Sequence, residues 1–204
     1  MNDGQMWVEP VVLRGELVRL EPLTAEHIPA LSAVGLHEDL WRWTVSAVRT
    51  AAEMEEYVTA ALRGRDAGQV LPFVTVARAT GEVVGSTRYG NIDREHRRLE
   101  IGWTWLTPGW QRSGANIEAK LLMLEHAFER LRCIRVEFKT DALNEKSRRA
   151  LLGIGAKEEG TLRQHMVVWD GRLRDTVYYS VIDSEWPEVK TRLRQKLESA
   201  KARQ

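Results

Sequence analysis

The apolar positions of the chain recur in two periods, and their order predicts a sheet interleaved with helices. Alternation at every second residue is typical of strands, whereas recurrence at steps of three and four is typical of helices. The clearest helical stripe consists of Ile117, Leu121, Leu124, Phe128 and Leu131. The alternating stretches predict strands at 11–23 with a break near Gly15, then at 72–78, 83–89, 99–106, 134–140, 156–163 and 176–182.

Cap residues and apolar stripes predict the helices between these strands. Thr24 and Thr50 have the side-chain oxygen of an N-cap, and Gly155 suits the end of a helix. The predicted helices cover about 25–34, 50–65, 117–131, 144–154 and 184–204. The resulting order favours an α/β (α+β) fold, with a mixed, mostly antiparallel sheet of about seven strands and helices on both faces. The crossover between 99–106 and 134–140 predicts that these two strands are parallel.

Length, charge and cysteine content narrow the class of protein. A chain of 204 residues can build one well-filled core, so we predict a single domain over 1–204 with its core at about 11–183. A net charge of +1, from 30 basic and 29 acidic residues, argues against a nucleic-acid binder. The pattern also argues against a secretory signal or a membrane span, and the one cysteine, Cys133, fits a reducing cytoplasm.

The segment from Trp110 to Asn116 has the clearest chemical signal, because it lies between a predicted strand and the strongest predicted helix. The N–H groups and the positive dipole end at a helix N-terminus favour an anion. Gly114 lets a phosphate approach the backbone, and Arg112 adds a positive charge. We therefore predict a phosphate-type site. The alternative is a plain turn in which Asn116 caps the helix.

The chain resembles the GNAT N-acetyltransferase superfamily over nearly its full length, and two segments carry the resemblance. Gln111-Arg-Ser-Gly-Ala-Asn116 is similar to the superfamily's Q/R-x-x-G-x-G/A loop, and Asn144-Glu-Lys-Ser147 is similar to its second cofactor-binding segment. Asn116 departs from the loop pattern, which has Gly or Ala there. Together with Glu100-Ile-Gly-Trp103, this departure resembles the branch of ribosomal-protein amino-terminal acetyltransferases.

The resemblance implies acetyl-coenzyme A (acetyl-CoA) as the co-substrate and assigns its contacts. The loop residues implied to hold its pyrophosphate are Gln111, Arg112, Ser113, Gly114, Ala115 and Asn116. The backbone of Trp105 and Leu106 is implied to face the pantetheine arm, with the Leu106 N–H, freed by a strand bulge, as oxyanion donor. Asn144 contacts a pantetheine amide or only caps its helix, and Arg149 meets phosphate or is solvated.

Acetyl transfer to an amine also needs a base and a proton donor for the departing thiolate. Glu100 is the best base candidate, because it lies on strand 99–106 and shares a period-two face with Leu106. Its alternative role is that of a salt-bridged strand residue near Arg97 and Arg98. The opposite face, expected to be core, consists of Ile101, Trp103 and Trp105. The resemblance implies that Ser147 meets the thiolate sulfur, as a hydrogen-bond donor or water relay.

The acceptor side is less sharply defined by the sequence. Trp41, Trp43 and Tyr89 are candidates to line the acceptor mouth, with core packing or a dimer interface as the alternative. The 5 histidines show no ligand spacing, so we expect no metal site.

The leading hypothesis is an acetyl-CoA-dependent N-acetyltransferase acting by direct attack of a primary amine, from a protein N-terminus or a small molecule. The alternative is a catalytically inactive acyl-CoA binding or sensing module. A weaker hypothesis is that the end of the chain, with 6 basic and 3 acidic residues over 184–204, contacts ribosomal RNA or an acidic protein; a solvated helix is the plainer interpretation. The sequence does not decide which amine is the acceptor or whether the protein is a monomer or a homodimer.

Overall fold

The computed structural model describes residues 8–202, and within them eight strands form one sheet. The strands are β1 (Leu13–Arg14), β2 (Val18–Pro22), β3 (Leu71–Ala77), β4 (Val83–Asp93), β5 (Arg98–Leu106), β6 (Arg135–Asp141), β7 (Lys157–Val167) and β8 (Leu173–Ile182). Their order across the sheet is β1-β2-β3-β4-β5-β6-β8-β7, and only β5 and β6 are parallel neighbours. The predicted break near Gly15 separates β1 from β2, which makes eight strands instead of about seven.

Six α-helices are present in the described part of the chain. They are α1 (Ile28–Gly35), α2 (Glu38–Trp41), α3 (Ala51–Asp66), α4 (Ala115–Glu125), α5 (Glu145–Ile154) and α6 (Trp186–Lys201). The side chain of Thr50 accepts the N–H of Glu53 and caps α3, and Gly155 ends α5 in the left-handed region with φ +99°. The predicted mixed α/β fold, mostly antiparallel and with helices on both faces, is confirmed.

Two apolar cores lie on opposite faces of the sheet. Phe73 belongs to one core and its neighbour Val74 to the other, and successive strand residues point to opposite faces. The larger core contains side chains of α4, α5 and α6, whereas the smaller core contains side chains of α1 and α3. No buried residue of β6, β7 or β8 belongs to the smaller core among residues 8–202. That face of the sheet is therefore left for polar groups over β6 and β8.

Glu118, a buried carboxylate that sequence reasoning missed, connects the start of α4 to the turn between β1 and β2. It accepts hydrogen bonds from the backbone N–H groups of Glu16, Leu17 and Val18 at 2.8, 2.7 and 2.7 Å. A Cβ added at Gly15 would lie 2.4 Å from this carboxyl group, so glycine makes room for it. The contact fixes the N-terminal end of α4, where the phosphate-type loop joins the helix.

Candidate active site

A gap between β5 and β6 forms the centre of the candidate site. The two strands pair at Arg98, Leu99 and Glu100 of β5, although β5 continues to Leu106 and β6 to Asp141. The N–H of Thr107 donates to the carbonyl of Val84 at 2.9 Å. Because N–H groups alternate in direction along an antiparallel ladder, the N–H of Leu106 points away from β4, towards the gap.

A bulge in β5 lies beside this gap and changes which way its side chains point. Trp103 and Thr104 lie opposite the single residue Thr87, and Trp103 has a left-handed φ of +50°. The Trp103 side chain is 42% exposed and lies against Gly90, where an added Cβ would be 2.4 Å from the ring. Gly90 pairs with Glu100, so the Trp103 ring is on the same face as that carboxylate.

The expected regular alternation of β5 is therefore wrong beyond Gly102, because the bulge inserts one residue. Glu100 and Leu106, expected on one face, point to opposite faces, and the same holds for Ile101 and Trp105. Trp105 does lie in a core, only 6% exposed and with its ring centroid 5.7 Å from that of Trp41. Leu106 is also buried and belongs to the larger core. Their predicted backbone contacts with pantetheine stay a prediction.

Glu100 is buried and held by two polar partners. Its Oε2 lies 2.8 Å from the Nζ of Lys139 and accepts a hydrogen bond of 2.6 Å from the amide of Asn91. Burial alone would lower the pKa of Lys139, but the hydrogen bond and charge of Glu100 raise it. The salt-bridged alternative considered for Glu100 thus applies, with Lys139 of the parallel strand as partner instead of Arg97 or Arg98.

Lys120, a titratable group that sequence reasoning missed, lies at the same gap. Its Nζ donates a 2.8 Å hydrogen bond to the hydroxyl of Thr104, and only 8% of the residue is exposed. Burial lowers the pKa of Lys120 to about 7, against the opposing charge of Glu100. The sequence did contain an indication of this burial, because Lys120 follows Ile117 by three residues and so lies on the apolar stripe of α4.

The loop 110–114 before α4 is the candidate anion cradle. Arg112 and Gly114 have left-handed φ values of +65° and +87°, and Gly114 is the N-cap of α4. The hydroxyl of Ser113 donates to the carbonyl of Trp110 at 2.7 Å. Asn116 is not the N-cap, so that part of the plain-turn alternative is wrong, while phosphate binding by the loop stays a prediction. The Oδ1 of Asn116 is buried without a hydrogen-bond partner among the described residues.

The two segments that carry the family resemblance are joined by a hydrogen bond. Lys146, in the first turn of α5, donates from Nζ to Oε1 of Gln111 at 2.5 Å. Asn144 caps α5, because its side chain accepts the N–H of Ser147 at 3.0 Å. Ser147 itself is half-buried. Arg149 is exposed in an ion pair of 2.9 Å with Glu145, so its contact with phosphate stays a prediction.

The three aromatic candidates for the acceptor mouth have different positions. Tyr89 is fully buried in the larger core, where its hydroxyl donates to the carbonyl of Met123 at 2.6 Å, so the expectation of an acceptor contact is corrected. Trp41 is 3% exposed and packs in the smaller core, so the core-packing alternative applies to it as well. Trp43 is half-buried with its ring centroid 5.7 Å from the guanidinium of Arg172, and it stays a candidate.

Nucleophilic thiol and metal chemistry find no support in the described residues. Burial raises the pKa of Cys133 to about 12, which keeps the thiol protonated near neutrality. Between residues 8 and 202 there is no group of three or more His, Cys, Asp and Glu side chains that could hold a metal ion. No helix in this part of the chain is long and apolar enough to cross a membrane.

Comparison with known proteins shows which family the chain belongs to. Residues 18–157 match the family model described as an acetyltransferase (GNAT) domain. The chain belongs to the GNAT acetyltransferase family. Among relatives of this GNAT protein is an uncharacterized N-acetyltransferase, p20, from Bacillus licheniformis, 30% identical over 58% of this chain and 66% of the relative. The chain thus spans less than two thirds of the length of that curated relative.

Solved structures resemble this GNAT protein over almost its whole length. A GCN5-related N-acetyltransferase from Brucella melitensis has a TM-score of 0.87 and 35% identity, covering 95% of this chain and 88% of that one. Mycobacterium smegmatis RimJ, solved in complex with CoA-disulfide, has a TM-score of 0.77 and 26% identity, covering 94% of this chain and 96% of that one.

Proposed function

We propose that this GNAT protein transfers an acetyl group from acetyl-CoA to a primary amine by direct attack. The observation that carries the proposal is the gap between β5 and β6, with the anion cradle at its end and Glu100 at the point where the strands separate. The hydrogen bond between Lys146 and Gln111 brings the start of α5 to the same cradle. No thiol of the described chain is suited to a covalent acyl-enzyme, since Cys133 is buried.

The residues of the loop fit the pyrophosphate of CoA. Arg112 and Gly114 have left-handed backbone, Arg112 adds a positive charge, and α4 adds the positive end of its dipole. RimJ, with its CoA-disulfide, supports the same assignment by similarity. CoA supplies the activated acetyl thioester.

The residues around the gap then have separate tasks. The N–H of Leu106 binds the acyl oxygen where negative charge develops. Glu100 accepts a proton from the amine, directly or through water, while Asn91 and Lys139 hold its carboxylate in place. An α-amine has a pKa of about 7.7–8, so it needs less help from a base than a lysine side chain does. The hydroxyl of Ser147 donates a hydrogen bond towards the thiolate.

An assay of thiol release over a panel of N-terminal peptides and small amines tests the proposal. We expect release with suitable amines, a strong loss in Gly114→Glu, and activity close to that of the unaltered protein in Cys133→Ala. Full activity in Gly114→Glu would contradict the cradle. Tight binding of acetyl-CoA in calorimetry with no thiol release for any amine would instead favour an acyl-CoA sensing module.

A further inference from the structure

One face of the sheet near the gap has more positive than negative side chains. Gly90 pairs with Glu100, so Arg88, two residues from Gly90 on β4, points to the face of Glu100. The contact between Glu100 and Lys139 places Lys139 on this face as well. On β8, Tyr178 pairs with Lys139, and Arg174 is four residues from Tyr178, so it shares the same face.

The anions of this face are already paired with other cations. Glu100 pairs with Lys139 at 2.8 Å, and Asp141 pairs with Arg172 at 2.6 Å. No carboxylate within residues 8–202 comes within 4.0 Å of a guanidinium nitrogen of Arg88 or Arg174. These two arginines are therefore surplus cations in a protein that has almost no net charge.

Arg88 is buried with hydrogen-bond donors that have no acceptor in the described part of the chain. It is 6% exposed, and its Nε and Nη2 are buried with no hydrogen-bond partner among the described residues. Its guanidinium lies 4.3 Å from the ring centroid of Tyr57 and 5.5 Å from that of Trp103. Aromatic rings stabilise a guanidinium, but they leave the N–H donors at its edge without acceptors. A guanidinium does not lose its charge in a protein, so these donors stay in need of an acceptor.

Arg174 repeats this pattern on the other side of the gap. It is also 6% exposed, and its Nε is buried without a hydrogen-bond partner in the described part of the chain. The turn between β7 and β8 crosses towards the helical layer above this face, where the indole N–H of Trp169 donates to the carbonyl of Trp41 at 3.2 Å. The guanidinium of Arg49 packs on the Trp169 ring at 4.3 Å. The turn thus contacts the helical layer beside this face.

We propose that the acceptor amine carries a carboxylate, which the unpartnered Nε and Nη2 of Arg88 bind while the amine reaches Glu100; this rests on the acetyl transfer proposed above. Adjacent N–H groups of a guanidinium match the two oxygens of a carboxylate. Arg174 adds positive charge on the same face. The carboxylate belongs either to an acidic side chain beside a peptide N-terminus or to a small amino acid.

Matched acceptors separate these two sources. In the peptide arm, Ala-Asp-Ala-Ala-amide is compared with Ala-Asn-Ala-Ala-amide, so that the side chain bears the one carboxylate. In the small-molecule arm, 5-aminovalerate is compared with 5-aminovaleramide. We expect kcat/KM to be about 10- to 100-fold higher for the charged member in one arm, the range given by a charged hydrogen bond. Equal rates within both pairs would overturn the inference and leave acetyl transfer intact, whereas no release from any amine would overturn the proposed function.

Variants of Arg88 test whether this residue causes the preference for an acceptor with a carboxylate. Arg88→Gln should remove it, and Arg88→Lys should retain part of it, because lysine keeps the charge but not the paired N–H groups. Arg63→Gln, an exposed arginine of α3, is the matched control. Calorimetry with the N-acetylated peptides in the presence of CoA gives a readout besides activity. The same measurement is made with the two N-acetylated small amines. In the arm that shows the kinetic preference, we expect the charged product to bind more tightly than its amide in the unaltered protein and equally in Arg88→Gln; equal binding within both pairs in the unaltered protein would contradict the proposal.

Discussion

The carboxylate of Glu100 lies 2.8 Å from the Nζ of Lys139, and this pair joins β5 to β6 where the two strands separate. The same carboxylate also accepts the amide N–H of Asn91. Glu100 is therefore both the candidate base and part of the contact that joins the two strands beside the gap. The two roles predict different outcomes when each partner is changed.

We expect Glu100→Gln to lower kcat about 100-fold, because an amide cannot accept the proton of the amine. Lys139→Met should lower kcat less, since it leaves the carboxylate in place with Asn91 as its partner. Thiol-release kinetics from pH 6 to 9 measure both variants, and urea unfolding shows how far each loses stability. Equal losses of kcat and of stability in the two variants would make Glu100 a structural residue only.

Lys120 should destabilise the fold when it is charged. Its pKa is about 7 in the folded chain, below the ordinary value of 10.5, because burial disfavours the ammonium. Between these two values the unfolded chain binds more protons, so this group makes stability rise with pH through that window. We expect Lys120→Met to increase the free energy of unfolding by about 1–3 kcal/mol at pH 6 and by less at pH 9.

Urea unfolding at the two pH values measures this effect. Lys196→Met, on the exposed side of α6, is the matched control and should give the same small change at both values. A gain from Lys120→Met that is equal at pH 6 and pH 9 would mean that Lys120 does not titrate in this range. A loss at both values would mean that its hydrogen bond with Thr104 outweighs the cost of burial.

The sequence predicted a strand such as β6 and a helix such as α6 well, because buried positions recur there with the period of the element. The alternation of residues did not predict the bulge, which only the family resemblance implied, because Gly102, Trp103, Thr104 and Trp105 alternate as regularly as an unbroken strand would. The direction of Trp103, and with it the surroundings of Arg88, depends on how β4 pairs with β5. That pairing is set by contacts distant in the sequence.

The predicted loop and the Asn144–Ser147 segment could be found because their chemistry lies in short, contiguous stretches. The partners of Glu100 could not, since Lys139 is on another strand and became its neighbour only through the parallel crossover. The burial of charged residues was missed for a related reason. A charged residue is expected to be exposed to solvent unless its partner is known. Glu118 and Lys120 are both of this kind.

Gly114 should be intolerant of any side chain. Its φ is +87°, and an added Cβ would lie 3.1 Å from a methyl group of Leu17 and 3.3 Å from the Cβ of Ala200. We expect Gly114→Ala to destabilise the fold by about 1–2 kcal/mol and to weaken binding of CoA in calorimetry. Gly109→Ala is the matched control, because no heavy atom lies within 4 Å of its added Cβ. Similar CoA affinities for the two variants would contradict the cradle.

Glu118 should matter for the cradle although it does not belong to it. Its carboxylate satisfies three backbone N–H groups of the turn between β1 and β2, and a neutral amide can offer these donors one oxygen only. We expect Glu118→Gln to lower the free energy of unfolding by about 1–3 kcal/mol, since buried N–H groups lose their acceptors. Because the turn also places Leu17 against Gly114, CoA affinity should fall as well. Glu198→Gln, an exposed residue of α6, serves as control, and unchanged stability in Glu118→Gln would show that water replaces the carboxylate at no cost.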